Sequence, residues 1–163
     1  MNELTSLDYM KLLAWIAYYK CNVMLNKTQM QKILFMCYGQ ALACNDKPLF
    51  TDDTPKAWPF GPVFPRSYQR YTENIPSNLT EKEKSIYAED VPTLKMIAGI
   101  VDRHCRKTAT VLSDWSHEIN GPWHKTVFNK NEGTKWNREI PQQYIKDYFS
   151  NPNWERNVGI YDF

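Results

Sequence analysis

Leu112-Ser113-Asp114-Trp115-Ser116-His117-Glu118-Ile119-Asn120-Gly121-Pro122-Trp123 carries a helical period into a polar turn, a helix stop and an aromatic residue of the kind that packs inside. Val111, Leu112 and Trp115 share one helix face, Ser116, His117 and Glu118 close the last turn, and Gly121-Pro122 cannot extend it. The chain therefore doubles back at Trp123. An imidazole donates through one nitrogen and accepts through the other, so His117 is suited to tie that turn to the helix end it follows.

Working outward, Thr108 is the N-cap of this helix, and the stretch before it predicts another, opened by Val91-Pro92 with Leu94, Ile97, Ala98, Val101 and Cys105 at helical spacing. Further upstream the cleanest period runs over 28–44, where Met30, Ile33, Leu34, Cys37, Tyr38, Ala41 and Leu42 follow the i, i+3, i+4, i+7 pattern. The first helix spans 6–19 and is apolar nearly all round through Tyr9, Leu12, Leu13, Trp15, Ile16 and Tyr19, with Ser6 as N-cap, which makes it the expected centre of the fold. Between these helices, 48–65 holds five of the ten prolines. Pro48-Leu49-Phe50 and Lys56-Ala57-Trp58 on either side of the turn-forming 51–55 predict a small hairpin, and Pro65 opens a short helix from Arg66 to Tyr71. Thr80-Glu81-Lys82-Glu83 is a capping box for an exposed helical turn, and Ile140-Pro141 leads into a last helix with Tyr144, Ile145, Tyr148 and Phe149 as its buried stripe. The expected fold is mainly α, a single compact helical domain over 1–163 with a small β-hairpin between the second and third helices.

A chain of 163 residues is long enough for one real core, and no stretch has linker composition. Net charge is +2 from 20 basic and 18 acidic residues, which predicts neither nucleic-acid nor membrane binding. The N-terminus lacks a basic segment followed by an apolar run, and no window reaches the length of a membrane span, so a cytoplasmic protein is expected. Cys21, Cys37, Cys44 and Cys105 form no Cys-x-x-Cys pair. Cys37 and Cys44 would stand about 10 Å apart on one helix, so free thiols are expected.

No cofactor or metal is expected. His117, Glu118 and His124 straddle Gly121-Pro122 and lack the i, i+4 spacing of paired helical zinc ligands, and Gly61-Pro62 lacks the free N–H groups of a phosphate loop. His104 and Cys105 fall on different helix faces, with the thiol in the apolar register. The cations Arg103, Arg106, Lys107, Lys125, Lys130, Lys135 and Arg138 read as a solvated surface. The aromatic pieces point elsewhere. Aromatics make up 14% of the chain, with six Trp and ten Tyr, and Trp58, Phe60 and Trp123 are borne by proline-stiffened backbone that has little entropy left to lose on binding. These rings either close the core over the helix ends or face a partner.

Three blocks together resemble the Panacea domain, the SocA-like antitoxin family. Met30-Gln31-Lys32-Ile33-Leu34-Phe35, followed by Lys47-Pro48-Leu49-Phe50, is similar to its Leu-Gln-Lys-Leu-Leu-Tyr helix motif. Ala57-Trp58-Pro59-Phe60-Gly61-Pro62-Val63 matches its Ala-Trp-x-x-Gly-Pro-Val block. Leu112-Ser113-Asp114-Trp115-Ser116-His117 with Pro122-Trp123 resembles its Leu-Ser-x-Leu-Thr-His and Pro-Trp. The departures are Trp115 for leucine and Ser116 for threonine. Residues 1–22 and 129–163 lie outside these motifs, the latter a candidate for a partner-specific C-terminal extension.

The resemblance implies a non-enzymatic antitoxin of a bacterial or phage system that neutralises a cognate toxin, encoded by the adjacent gene, through direct protein–protein contact. The residues assigned to that contact are Trp58, Phe60, His117 and Trp123. The alternatives are an adaptor delivering the toxin to a protease, a nucleic-acid-binding regulator, and, last, a small hydrolase using His117 with Ser113, Ser116 or Cys105. On one helix, a Ser113–His117 pair lacks an orienting group and oxyanion donors.

Overall fold

A computed structural model describes residues 3–129 and 131–159. Its axis is α2 (Lys27–Asn45), started by a reciprocal capping box: the Asn26 side chain accepts from the Gln29 N–H at 2.8 Å and the Gln29 side chain accepts from the Asn26 N–H at 2.9 Å. The period of this helix predicted one buried stripe, but every residue from Met30 to Gly39 is buried, Gln31 and Lys32 among them. From Ile33 to Asn45 the helix has no charged residue, and it reaches water only toward its C-terminal end, where Cys44 and Asn45 are exposed. It is therefore α2, rather than the first helix, that lies at the centre.

The first helix divides into α1 (Ser6–Trp15) and a π-helical turn (Ile16–Lys20). Its cap is Thr5, one residue before the expected Ser6: Thr5 and Asp8 form the capping box. Ser6 is freed to donate its N–H and hydroxyl to the Asp52 carboxylate, both at 2.8 Å. Only part of this helix is inside. Trp15 and Tyr19 keep their polar tips at the surface, donating to Asn78 Oδ1 and Pro76 O.

The hairpin lies between the second and third helices, as expected, but its partners differ. Strand β1 (Lys56–Trp58) pairs antiparallel with β2 (Gly61–Val63), not with 48–50. The acidic segment read as the turn is engaged elsewhere. Asp52 holds Ser6, while Asp53 accepts from the Arg66 and Ser67 N–H groups and starts α3 (Pro65–Arg70); Phe50 enters the core. The reversal falls instead at Pro59-Phe60, where Gly61 takes φ +111°, a backbone region that glycine tolerates and side chains do not.

The capping box at Thr80 opens α4 (Glu81–Tyr87), Asp90 caps α5 (Val91–His104) and Thr108 caps α6 (Ala109–Ser116). After α7 (Pro122–Val127) a second small hairpin, not anticipated from the sequence, pairs β3 (Phe128–Asn129) with β4 (Gly133–Thr134). Helix α8 (Gln142–Phe149) then lies along α2, where a side chain at Gly39 would put its Cβ 2.1 Å from the Phe149 ring. The last described turn (Trp154–Asn157) sends the Trp154 indole N–H to Gln40 Oε1 at 2.8 Å. Ile145, Phe149 and Trp154 thus belong to the same core as α2, so much of 129–163 is built into the domain. No helix among the described residues is long and apolar enough to cross a membrane.

Candidate functional site

The β1–β2 hairpin offers four backbone carbonyls to the helices behind it, and each meets a side-chain donor. Trp123 Nε1, on α7, donates to Trp58 O at 2.7 Å. His117 Nε2, at the end of α6, lies 2.9 Å from Pro59 O. Ser113 Oγ, on α6, donates to Phe60 O at 3.1 Å, and Lys32 Nζ, on α2, donates to Pro62 O at 3.2 Å. Just beyond the hairpin, Gln31 Oε1 accepts from the Phe64 N–H at 2.8 Å while its amide donates to Ser67 Oγ. The Pro62 carbonyl and the Phe64 N–H are buried and need partners, which α2 supplies; the Pro59 and Phe60 carbonyls, nearer the surface, are met from α6.

The other edge is closed as well. The Ala57 N–H donates to Arg138 O and the Asn137 N–H to Ala57 O, both at 2.8 Å, so residues 137–139 run along β1 like a third strand. The Trp58 indole N–H reaches Asn137 Oδ1 at 2.9 Å, and its ring meets Tyr68 edge-on at 5.3 Å. Space under the turn is tight: a Cβ on Gly61 would lie 2.4 Å from Ser116 Oγ and 2.8 Å from Lys32 Cε.

Each residue expected to meet a partner has a definite place in this arrangement. Trp123 is 5% exposed and stands edge-on to the His117 ring, centroids 4.0 Å apart. His117 faces a carbonyl on both sides, Nδ1 lying 2.6 Å from Ser113 O. Trp58 is half-buried. Phe60 is 74% exposed at the tip, its own carbonyl held from behind. The structure places all four at one hairpin, where Gln31, Lys32 and Ser113, not among the residues expected there, also stand. The available signal was the charge-free run after Lys32, the mark of a helix buried over most of its surface.

Lys32 is 1% exposed, and burial alone pulls its amine down to about 8. Among the described residues no carboxylate pairs with it. The hydroxyls once considered for hydrolysis are occupied by backbone: Ser116 Oγ donates to Ser113 O at 2.7 Å and Ser113 Oγ to Phe60 O. Cys105 is buried against Cys21, its thiol pushed up to about 11 chiefly by burial, while the neighbouring His104 turns to Glu155 at 2.8 Å. His124 accepts from the Asn120 N–H and packs on Phe128. Among the described residues no cluster of His, Cys, Asp and Glu is able to hold a metal ion.

The class defined by these features is a mainly helical domain that presents a short, clamped hairpin. The family described as antitoxin SocA-like, Panacea domain, matches residues 30–124, more than half of the chain, and the chain belongs to it. No curated relative and no solved structure matches. Membership places the chain among antitoxin-like proteins and points to a role in a toxin–antitoxin system.

Proposed function

We propose that this chain is an antitoxin that neutralises a cognate protein toxin, encoded by the neighbouring gene, by direct contact centred on the β1–β2 hairpin. Phe60 and the exposed part of Trp58 are the contacting rings; His117 and Trp123 set the angle at which the hairpin meets the toxin. One observation carries the reading: a tip ring 74% exposed on a loop whose four carbonyls are all held from behind. Such a ring has already lost the freedom that binding would otherwise cost, which favours tight association. The free thiols suit a reducing cytoplasm. A protein partner is favoured over nucleic acid because Arg103, Arg106 and Arg138 are engaged within the chain, by Glu155, Cys21 O and Glu132.

The test is rescue of cells expressing the neighbouring reading frame. Phe60→Ala is expected to lose rescue and to weaken binding on the order of thirty-fold, a hot-spot effect, while its melting temperature stays at the wild-type value. Full rescue by this variant, or no complex between the wild-type chain and the neighbouring product, overturns the proposal.

A further inference from the structure

The family match ends at residue 124, and the chain just beyond it builds a second exposed aromatic face. Trp136 and Phe128 are 48% and 46% exposed, and both pack on Trp123, with ring centroids 6.0 and 6.1 Å away. Trp123 is the residue that holds Trp58 O, and Asn137, next to Trp136, holds both Ala57 and the Trp58 indole. The two exposed faces are therefore coupled through shared residues, Trp123 and Asn137.

The charge beside this second face is one-sided. Lys125, Lys130, Lys135 and Arg138 stand against the single acid Glu132 over 124–138, and Glu132 is paired with Arg138 at 3.1 Å. Among the described residues neither Lys125 nor Lys135 has a carboxylate within ion-pair distance, and Lys125 Nζ rests 5.6 Å over the Tyr144 ring. Exposed rings on a segment whose exposed Lys125 and Lys135 have no acidic partner among the described residues fit a surface of the opposite pattern, apolar and bearing carboxylates.

Resting on the antitoxin reading above, we infer that Phe128 and Trp136, with Lys125 and Lys135, form the part of the binding surface that selects the partner, and that the toxin face meeting it is apolar with an acidic rim. The clamped hairpin supplies a common anchor, and this arm outside the family match decides which toxin is held.

The experiment titrates the purified product of the neighbouring reading frame with the full chain at low and at high salt. Trp136→Ser and Phe128→Ser are expected to weaken binding about ten-fold or more. The double variant Lys125→Glu with Lys135→Glu, confined to exposed side chains, is expected to slow association about ten-fold at low salt, a difference that shrinks as salt rises. Wild-type affinity in all arm variants, with Phe60→Ala still defective, overturns this inference and leaves the antitoxin reading standing. Undiminished binding by Phe60→Ala overturns that reading itself. A charge reversal without effect at either salt rules out the acidic rim. Conversion of a wild-type dimer to a monomer by Trp136→Ser assigns the face to a second copy of this chain, and the inference falls.

Discussion

Among the described residues two short hairpins each carry an exposed aromatic residue, and they are held in different ways. In the first, β1–β2, donors from α2, α6 and α7 grip the carbonyls of Trp58, Pro59, Phe60 and Pro62 from inside the molecule. In the second, β3–β4, the bonds come from nearby in the chain: the Asn131 N–H to Asn129 Oδ1, the Glu132 N–H to Asn129 O at 3.3 Å, the Lys135 N–H to Val127 O at 3.1 Å and Arg138 Nη2 to Glu132 O at 3.5 Å. Of the four donors on the first hairpin Lys32 and Trp123 are buried, and buried hydrogen bonds fix a backbone, whereas surface ones exchange readily with water. The family's motif residues converge on the first hairpin; the second lies outside the family match. A shared scaffold and an adaptable arm can thus sit side by side in one small domain.

The largest expected effect sets the two hairpin glycines against each other. Gly61→Ala forces a side chain into φ +111° and into Ser116 and Lys32, and is expected to cost 3 kcal/mol or more, as an order of magnitude, in urea unfolding. Gly133→Ala, at φ +76° with nothing within 4 Å, is expected to cost only about 1 kcal/mol. Equal costs would mean that the first hairpin is not clamped. Trp123→Phe comes next. It leaves Trp58 O without its indole donor and is expected to cost about 2 kcal/mol by the same measurement, with α-helical circular dichroism retained.

A smaller effect depends on pH. Burial holds Lys32 at about 8, below its ordinary 10.5, so the unfolded chain binds this proton more readily. The stability Lys32 contributes is complete above 10.5 and is lost as pH falls through about 8. Relative to Lys32→Met, the wild type is therefore expected to gain about 1.4 kcal/mol between pH 7 and pH 9. Taking the difference between the two proteins cancels the Cys37 and Cys105 thiols, which burial shifts upward and which act in the opposite direction. A flat difference would show that Lys32 is hydrated.

Periodicity and caps made most helices legible, because Thr80 and Thr108 carry their own local chemistry. Trp58 and Phe60 were legible as rings borne on proline-stiffened backbone, and Phe60 is indeed exposed. Strand pairing was harder. Asp52 and Asp53 look like turn residues in sequence, but they serve Ser6 and α3, which only the tertiary fold brings near. The roles of Gln31 and Lys32 were hidden for a similar reason: a helical period describes one face, while the buried state of α2 depends on the helices that surround it.

Amide hydrogen exchange in the free chain compares the two hairpins most directly. The Ala57 and Phe64 N–H groups, bonded to Arg138 O and Gln31 Oε1, are expected to exchange only through global unfolding. Those of Asn131 and Glu132 are expected to exchange orders of magnitude faster. Similar rates at all four positions would contradict the claim that side chains from three helices hold the first hairpin in place.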